Sequence, residues 1–197
     1  KKLDKPVKVI WSREETTRHG FYRPAAISRF QIALNEKNEP HRRANQAAMP
    51  NMLMQKVPGV PEFVWKMTGD VIGLEGVRKP PYAAGEKDVT SLHVDLHTPL
   101  GFWRAVGHSH NGFFVESVVD ELAHLAEEDP AAYRRRFYQE HPRHLAVIDA
   151  LTDMSQWNGD RKEGHHLGIA VHESFGSVVG EVVELSVSDK ETTLHKV

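Results

Sequence analysis

Alternating apolar and polar positions dominate the start of the chain. Residues 7–11 (Val7-Lys8-Val9-Ile10-Trp11) alternate around Lys8 and predict a strand. Over 27–34, positions 28, 30, 32 and 34 oppose 27, 29, 31 and 33, and one face is mostly apolar, as a half-buried strand requires. A polar turn over 35–40 leads to a return strand over 41–48. The pattern then breaks down. Pro50, Pro58, Pro61, Pro80 and Pro81, with Gly59, Gly69, Gly73, Gly76 and Gly85, argue against long elements, so 49–90 is expected to be irregular, mobile or interfacial. Met49, Met52 and Met54 read there as an adaptable apolar packing surface.

Regularity returns at 91–97, where Leu92, Val94 and Leu96 alternate with His93, Asp95 and His97 and predict a strand. A glycine-punctuated loop, 101–112, comes next. A helix follows it, with Val115, Val118, Val119, Leu122 and Ala126 on one face and Glu116, Asp120 and His124 on the other. Asp129 is placed to cap a second helix, with Pro130 at its first position and Arg134-Arg135-Arg136 as a solvated face. Leu145, Ile148 and Leu151 mark a third helix ending near Trp157. Strands over 167–171, 183–187 and 192–197 close the chain, with turns at 173–177 and 189–191. Strands and helices are segregated, not alternating. The prediction is an α+β fold with a mixed or antiparallel β-sheet and a cluster of about three helices. It is read as one body, β-rich over 1–48, irregular over 49–90, strand, loop and helices over 91–157, and β-rich again over 158–197.

Composition narrows the function. The 197 residues, 40% apolar and 26% charged, suffice to bury a core. Lys plus Arg number 25 against 27 Asp plus Glu, so no basic excess points to nucleic acid. No apolar run approaches the ~20 residues of a membrane helix. The chain has no cysteine, which removes disulfides, iron–sulfur ligation and thiol catalysis while leaving the compartment open. It opens on Lys1, shows no signal or transit peptide, and reads as an internal piece of a longer protein, with a processed complete protein as the alternative.

Three constellations carry candidate chemistry. In the 101–112 loop, Gly101, Gly107 and Gly112 permit close backbone approach, and a helix start with open N–H groups joins the Arg104 fork in favouring an oxyanion. The plainer reading is a glycine-rich connection with a surface arginine. The 13 histidines include His108, His110, His165, His166 and His172, the last beside Glu173. Their spacing matches no zinc signature, so solvated or hydrogen-bonded histidine is the stronger reading and no metal ligand is assigned. Ser174 lies between Glu173 and Phe175 without a nucleophile elbow and is discounted.

The run from Pro6 to Glu15, with Arg18-His19 and Phe21-Tyr22-Arg23-Pro24-Ala25, resembles the opening of a segment in the molybdopterin-binding large subunits of the xanthine dehydrogenase/aldehyde oxidase family. The branch indicated is the isoquinoline 1-oxidoreductase beta subunit and related bacterial aldehyde dehydrogenases. Gly101-Phe102-Trp103-Arg104-Ala105-Val106-Gly107-His108-Ser109-His110-Asn111 is similar to that branch's most distinctive run. Phe114 to Ser117, Asp120 to His124, His141 to Val147 and Gly168 to Ser177 continue in the same order. The resemblance covers 6–30 and 99–187 and fades through 40–90.

It implies a molybdenum hydroxylase acting on aldehydes or N-heterocycles, in which a pterin-held metal inserts a water-derived oxygen atom at carbon. Electrons would leave through an iron–sulfur subunit or domain, which fits the absence of cysteine here. Phe102, Trp103, Arg104, Ala105, Val106 and Gly107 match the family loop beside the molybdenum and pterin, and Phe175 and Gly176 fall in a second cofactor loop. Arg104 is the matched catalytic-site arginine. The family's glutamate base and its upstream glycine-rich loop are absent, so the resemblance spans a middle slice of a larger subunit. The isolated chain is then expected to be inactive and to hold no cofactor, its partners being the rest of that subunit and the iron–sulfur subunit. Family analogy leaves a periplasmic or a cytoplasmic location open. The rival readings are a standalone non-catalytic binding or assembly domain derived from such a subunit, and a histidine-based metalloprotein.

Overall fold

The computed structural model describes residues 4–57, 59–82, 86–189 and 191–197. Residues 1–3, part of the irregular segment (58 and 83–85), and Lys190 of the turn expected at 189–191 lie outside the described residues. The elements run α1 (Arg13–His19), β1 (Ile27–Leu34), β2 (Pro40–Met49), α2 (Met52–Lys56), α3 (Glu62–Thr68), β3 (Glu86–His93), α4 (His108–Leu125), α5 (Pro130–Phe137), α6 (Pro142–Met154), β4 (His165–Ser174), β5 (Ser177–Val187) and β6 (Thr192–Lys196). Among the described residues two three-stranded sheets result. In the first, β1 pairs antiparallel and β3 parallel with the central β2; in the second, β4, β5 and β6 are antiparallel. Helices and strands are segregated as the α+β reading requires.

The expected cluster of about three helices is α4–α6, but among the described residues three further helices, α1–α3, precede it. Each has five to seven residues, too short for an apolar stripe to announce it. The strand predicted over 7–11 is not formed. Val7, Val9, Ile10 and Trp11 stand exposed and no strand lies beside them among the described residues. The Ser12 side chain instead accepts from the Glu15 N–H at 3.2 Å and starts α1. β3 is displaced from the predicted 91–97. Its partner β2 ends at Met49, opposite His93, and the Val94 N–H to Met49 carbonyl bond is the last of the ladder. Alternation beyond that point has no neighbour to pair with.

Residues 49–90 are not merely a covering loop. Met49, Met52, Leu74, Val77 and Tyr82 are all buried, and all but Met52 belong to a core cluster shared with Val115, Val119 and Leu122 of α4. Irregular backbone can be buried only where its polar groups find partners. Here side chains supply them. Asn111 Nδ2 donates to the carbonyls of Gly73 (2.7 Å) and Glu75 (2.8 Å), Arg43 Nη2 donates to Val77 (2.7 Å), and the Gly73 N–H donates to Asp70 Oδ1 (2.7 Å).

The helices assemble as their caps dictate. Asp129 Oδ1 accepts from the N–H groups of Ala131 and Ala132, and Pro130 occupies the first turn of α5, as the sequence indicates. Two charge assignments are corrected. Glu116 is buried, not solvated, and Arg134 is wholly buried rather than part of an exposed basic face. Arg134 Nε donates to Glu116 Oε2 at 3.0 Å and Nη1 to Asp120 Oδ1 at 2.7 Å, while Glu116 Oε2 also accepts the Val171 N–H at 2.9 Å. One ionic knot therefore ties α4, α5 and β4 together. Burial works against the Arg134 charge, but Glu116, Tyr82 and Asp120 outweigh it and hold the guanidinium protonated well above its usual range.

Candidate functional site

Phe102 to Gly107 form a turn leading into α4, exposed over 102–104, half-buried at Ala105 and Val106, and buried at Gly107. Phe102 and Trp103 are about half exposed (48% and 50%). The Trp103 indole donates to the Phe21 carbonyl at 2.8 Å, and Arg23 lies over its ring at 5.9 Å. Arg23 Nη1 also donates to the Arg104 carbonyl (2.9 Å) and to Ser109 Oγ (3.0 Å), so it braces the turn from both sides. Arg23 belongs to the opening run that resembles the family, yet nothing in its spacing marks this role. The Arg104 side chain is exposed, and among the described residues no hydrogen bond or ion pair engages its guanidinium.

Ala105 and Val106 adopt φ of 67° and 43°. Left-handed backbone is costly for residues bearing a Cβ, most of all a β-branched one, and such strain concentrates at functional turns. Gly107 is required by its surroundings: a Cβ there would run into the Ile72 carbonyl oxygen. One expectation is corrected. α4 begins at His108, not after residue 112, so Gly112 lies inside the helix. The N–H groups of His108, Ser109 and Asn111 already donate to the carbonyls of Ala105, Val106 and Gly107. The helix start therefore offers no open cradle at these N–H groups, and any anion at this turn is left to Arg104.

Phe175 and Gly176 form the two-residue turn between β4 and β5, with φ of 47° and 76°, the doubly left-handed geometry that suits a tight hairpin. Histidines link this hairpin to the loop. His108 Nδ1 lies 3.0 Å from His172 Nε2, and the His108 and Phe175 rings are 5.5 Å apart. Gly76, at φ 86°, passes beside the pair, where a Cβ would come within 2.9 Å of His108 Nδ1. Phe175, Gly176, His108 and His172 border a cleft of about 380 Å³, whereas none of residues 102–107 lines it. Trp103 instead borders a separate cleft of about 280 Å³ with Arg13, Phe21 and Arg23. The structure thus brings the two predicted pieces near each other through His108 without merging them.

The remaining histidines of the sequence reading include two that are firmly held. His110 Nε2 reaches the Gly73 carbonyl at 2.9 Å, and His165 Nδ1 reaches Glu184 Oε1 at 2.7 Å while stacking on His195. Among the described residues no three His, Asp or Glu side chains are grouped to hold a metal ion. No described helix is long and apolar enough to cross a membrane. Burial, reinforced by His108, pushes the His172 pKa below its usual value. A histidine so depressed in the fold stabilises the protein above about pH 6.5 and loses that contribution as pH falls through its folded pKa. Denaturant midpoints at pH 7.5 and 5.5 are expected to show a smaller loss on acidification for His172→Asn than for the parent chain. Equal losses would show that His172 titrates freely.

No family model matches the chain. In sequence it is 26% identical over 204 residues to isoquinoline 1-oxidoreductase subunit beta of Brevundimonas diminuta, an alignment covering 98% of this chain and 25% of that protein. The fold is shared with aldehyde oxidoreductase from Desulfovibrio gigas, at TM-score 0.54 and 14% identity over 82% of this chain and 19% of that one. It is shared too with quinoline 2-oxidoreductase from Pseudomonas putida 86, at TM-score 0.52 and 17% identity over 77% of this chain and 22% of that one. The chain is thus similar in sequence to part of an isoquinoline 1-oxidoreductase beta subunit and in fold to parts of the other two proteins. It spans about a quarter of the length of the curated relative it matches.

Proposed function

We propose that this chain is a slice of the molybdenum-cofactor-binding subunit of an oxidoreductase that hydroxylates aldehydes or N-heterocycles. The observation that carries the reading is the alignment of 98% of the chain with an isoquinoline 1-oxidoreductase beta subunit. When bound, the molybdenum–pterin group would supply insertion of a water-derived oxygen at carbon and accept the electrons. The residues fit such a group in part. Arg104 presents an unengaged planar donor fork on an exposed, strained turn, which suits an anionic edge laid against it. Phe102 and Trp103 offer apolar faces beside it, Arg23 holds the turn in place, and Phe175 and Gly176 form a second exposed corner. These residues make one side of a cradle, and the remainder of the longer subunit would supply the other. The absence of cysteine supports iron–sulfur partners on another chain or domain.

The test is to purify the longer gene product containing this segment from a host that makes the cofactor. Stoichiometric molybdenum and pterin are expected, with oxygen from labelled water appearing in the product of an aldehyde or N-heterocycle. The chain of 197 residues alone should carry neither. A longer product that folds without molybdenum in such a host, or a reading frame that ends with this segment, would overturn the proposal.

A further inference from the structure

The cleft at the β4–β5 hairpin has an inner end unlike its mouth. Leu74, Tyr82, Val115 and Val171 give it apolar walls, and its volume of about 380 Å³ suits a small ring. Three carboxylates also line it: Glu75, Glu116 and Glu173, the last lying 3.5 Å from His144 Nε2. Glu116 is 94% buried, being 6% exposed, and its Oε1 has no hydrogen-bond partner; Glu75 Oε2 is likewise buried and unpartnered. Buried carboxylate oxygens without partners are costly and are retained where a ligand completes them. The charge balance defines that ligand. Arg134, behind Glu116, is shared between Glu116 and Asp120 and so does not neutralise both. Glu75 adds a further negative charge and makes no ion pair among the described residues. Arg78 and Lys79 are exposed and can turn their charges to solvent, and His108 and His172 are occupied with each other.

We propose that this cleft binds a planar organic cation, an amidinium or guanidinium carried on an apolar stem, with Glu75 and Glu116 accepting its N–H groups. A forked cation places two parallel donors on carboxylate oxygens, and the stem lies between Tyr82 and the aliphatic walls. The site uses none of residues 102–107 but shares Phe175 and Gly176 with the cofactor reading, so it is tested on the 197-residue chain, apart from the longer subunit.

Benzamidine is the probe, with benzamide as its neutral isostere and benzoate as the opposite charge. The 197-residue chain is titrated with each by calorimetry and thermal shift. Benzamidine should bind and raise the melting temperature, benzamide should bind at least about tenfold more weakly, and benzoate should not bind. Glu75→Gln should weaken benzamidine about tenfold or more. The same variant should leave the ligand-free chain about as stable as before, since the Glu75 carboxylate makes no ion pair among the described residues and its Oε2 makes no hydrogen bond. Equal binding of benzamidine and benzamide, undiminished binding by Glu75→Gln, or no benzamidine binding at millimolar concentration would each overturn the assignment. Should Glu75→Gln fail to fold, the three-ligand series on the unmodified chain decides alone.

Discussion

Arg134→Met is expected to cost about 3–5 kcal/mol of folding stability, the penalty for removing one partner of a buried ion pair. The reason lies in what stays behind. Glu116 would remain buried beside the same core, without the cation that holds its Oε2, while still serving the Val171 N–H. Asp120 would lose its 2.7 Å hydrogen bond, and the carbonyls of Pro130 and Glu116 would lose donors. Against a typical total of roughly 5–15 kcal/mol, such a loss approaches global unfolding. Urea denaturation followed by circular dichroism would show it as a midpoint shifted far down with an unchanged slope. Arg136→Met, two positions along the same helix and already partly exposed, is the control and should move the midpoint little. A small shift for Arg134→Met would mean that water reaches the knot and that the core is looser than its burial implies.

Arg104→Ala in the longer subunit is the second expected result: a fall of roughly ten- to a hundred-fold in oxidation rate, the scale of removing one charge-assisted hydrogen bond from a reaction centre. The guanidinium is exposed and unengaged, so stability should be unaltered. A plain surface arginine would change neither rate nor stability. Arg104→Lys should recover little of the rate, because an ammonium cannot reproduce the planar fork. Cofactor content must be measured alongside. Full molybdenum loading with unaltered turnover in the Ala variant would remove Arg104 from the proposed site, whatever becomes of the rest of the reading.

These residues also show what a sequence can disclose. The Asp129 cap, the α4 stripe and the β1–β2 hairpin were legible because each depends on a local pattern, and the structure contains them. Ser12 and Glu15 carried a capping signature for α1 that the more conspicuous alternation of 7–11 concealed. The burial of Glu116 and Arg134 was not legible. A helical wheel assigns charges to water, and nothing local records that a guanidinium from the next helix will meet a carboxylate on the apolar side. The core role of Leu74 and Val77 was hidden for a related reason, since it requires Asn111 and Arg43 to satisfy irregular backbone from distant elements. The candidate site divides in the same way: Gly107 and the Phe175-Gly176 turn can be read from their types, whereas the His108–His172 pair joins residues 64 positions apart.

The parallel pairing of β2 with β3 has a kinetic consequence. β1 and β2 are joined by a short turn and β4 and β5 by a tighter one, so both pairs can form early from nearby residues. β3 must return to β2 across the whole crossover from Met49 to Glu86, and its ladder can close only after that loop's entropy has been lost. The crossover also carries Leu74 and Val77 into the α4 core, so strand closure and core closure become a single late event. A refolding chain should therefore pass through a stage in which the helices and the C-terminal hairpin are native-like while the edge of β2 is open to other chains. Aggregation during refolding would then trace to that edge, and it would be relieved by conditions that hasten docking of the 49–86 segment.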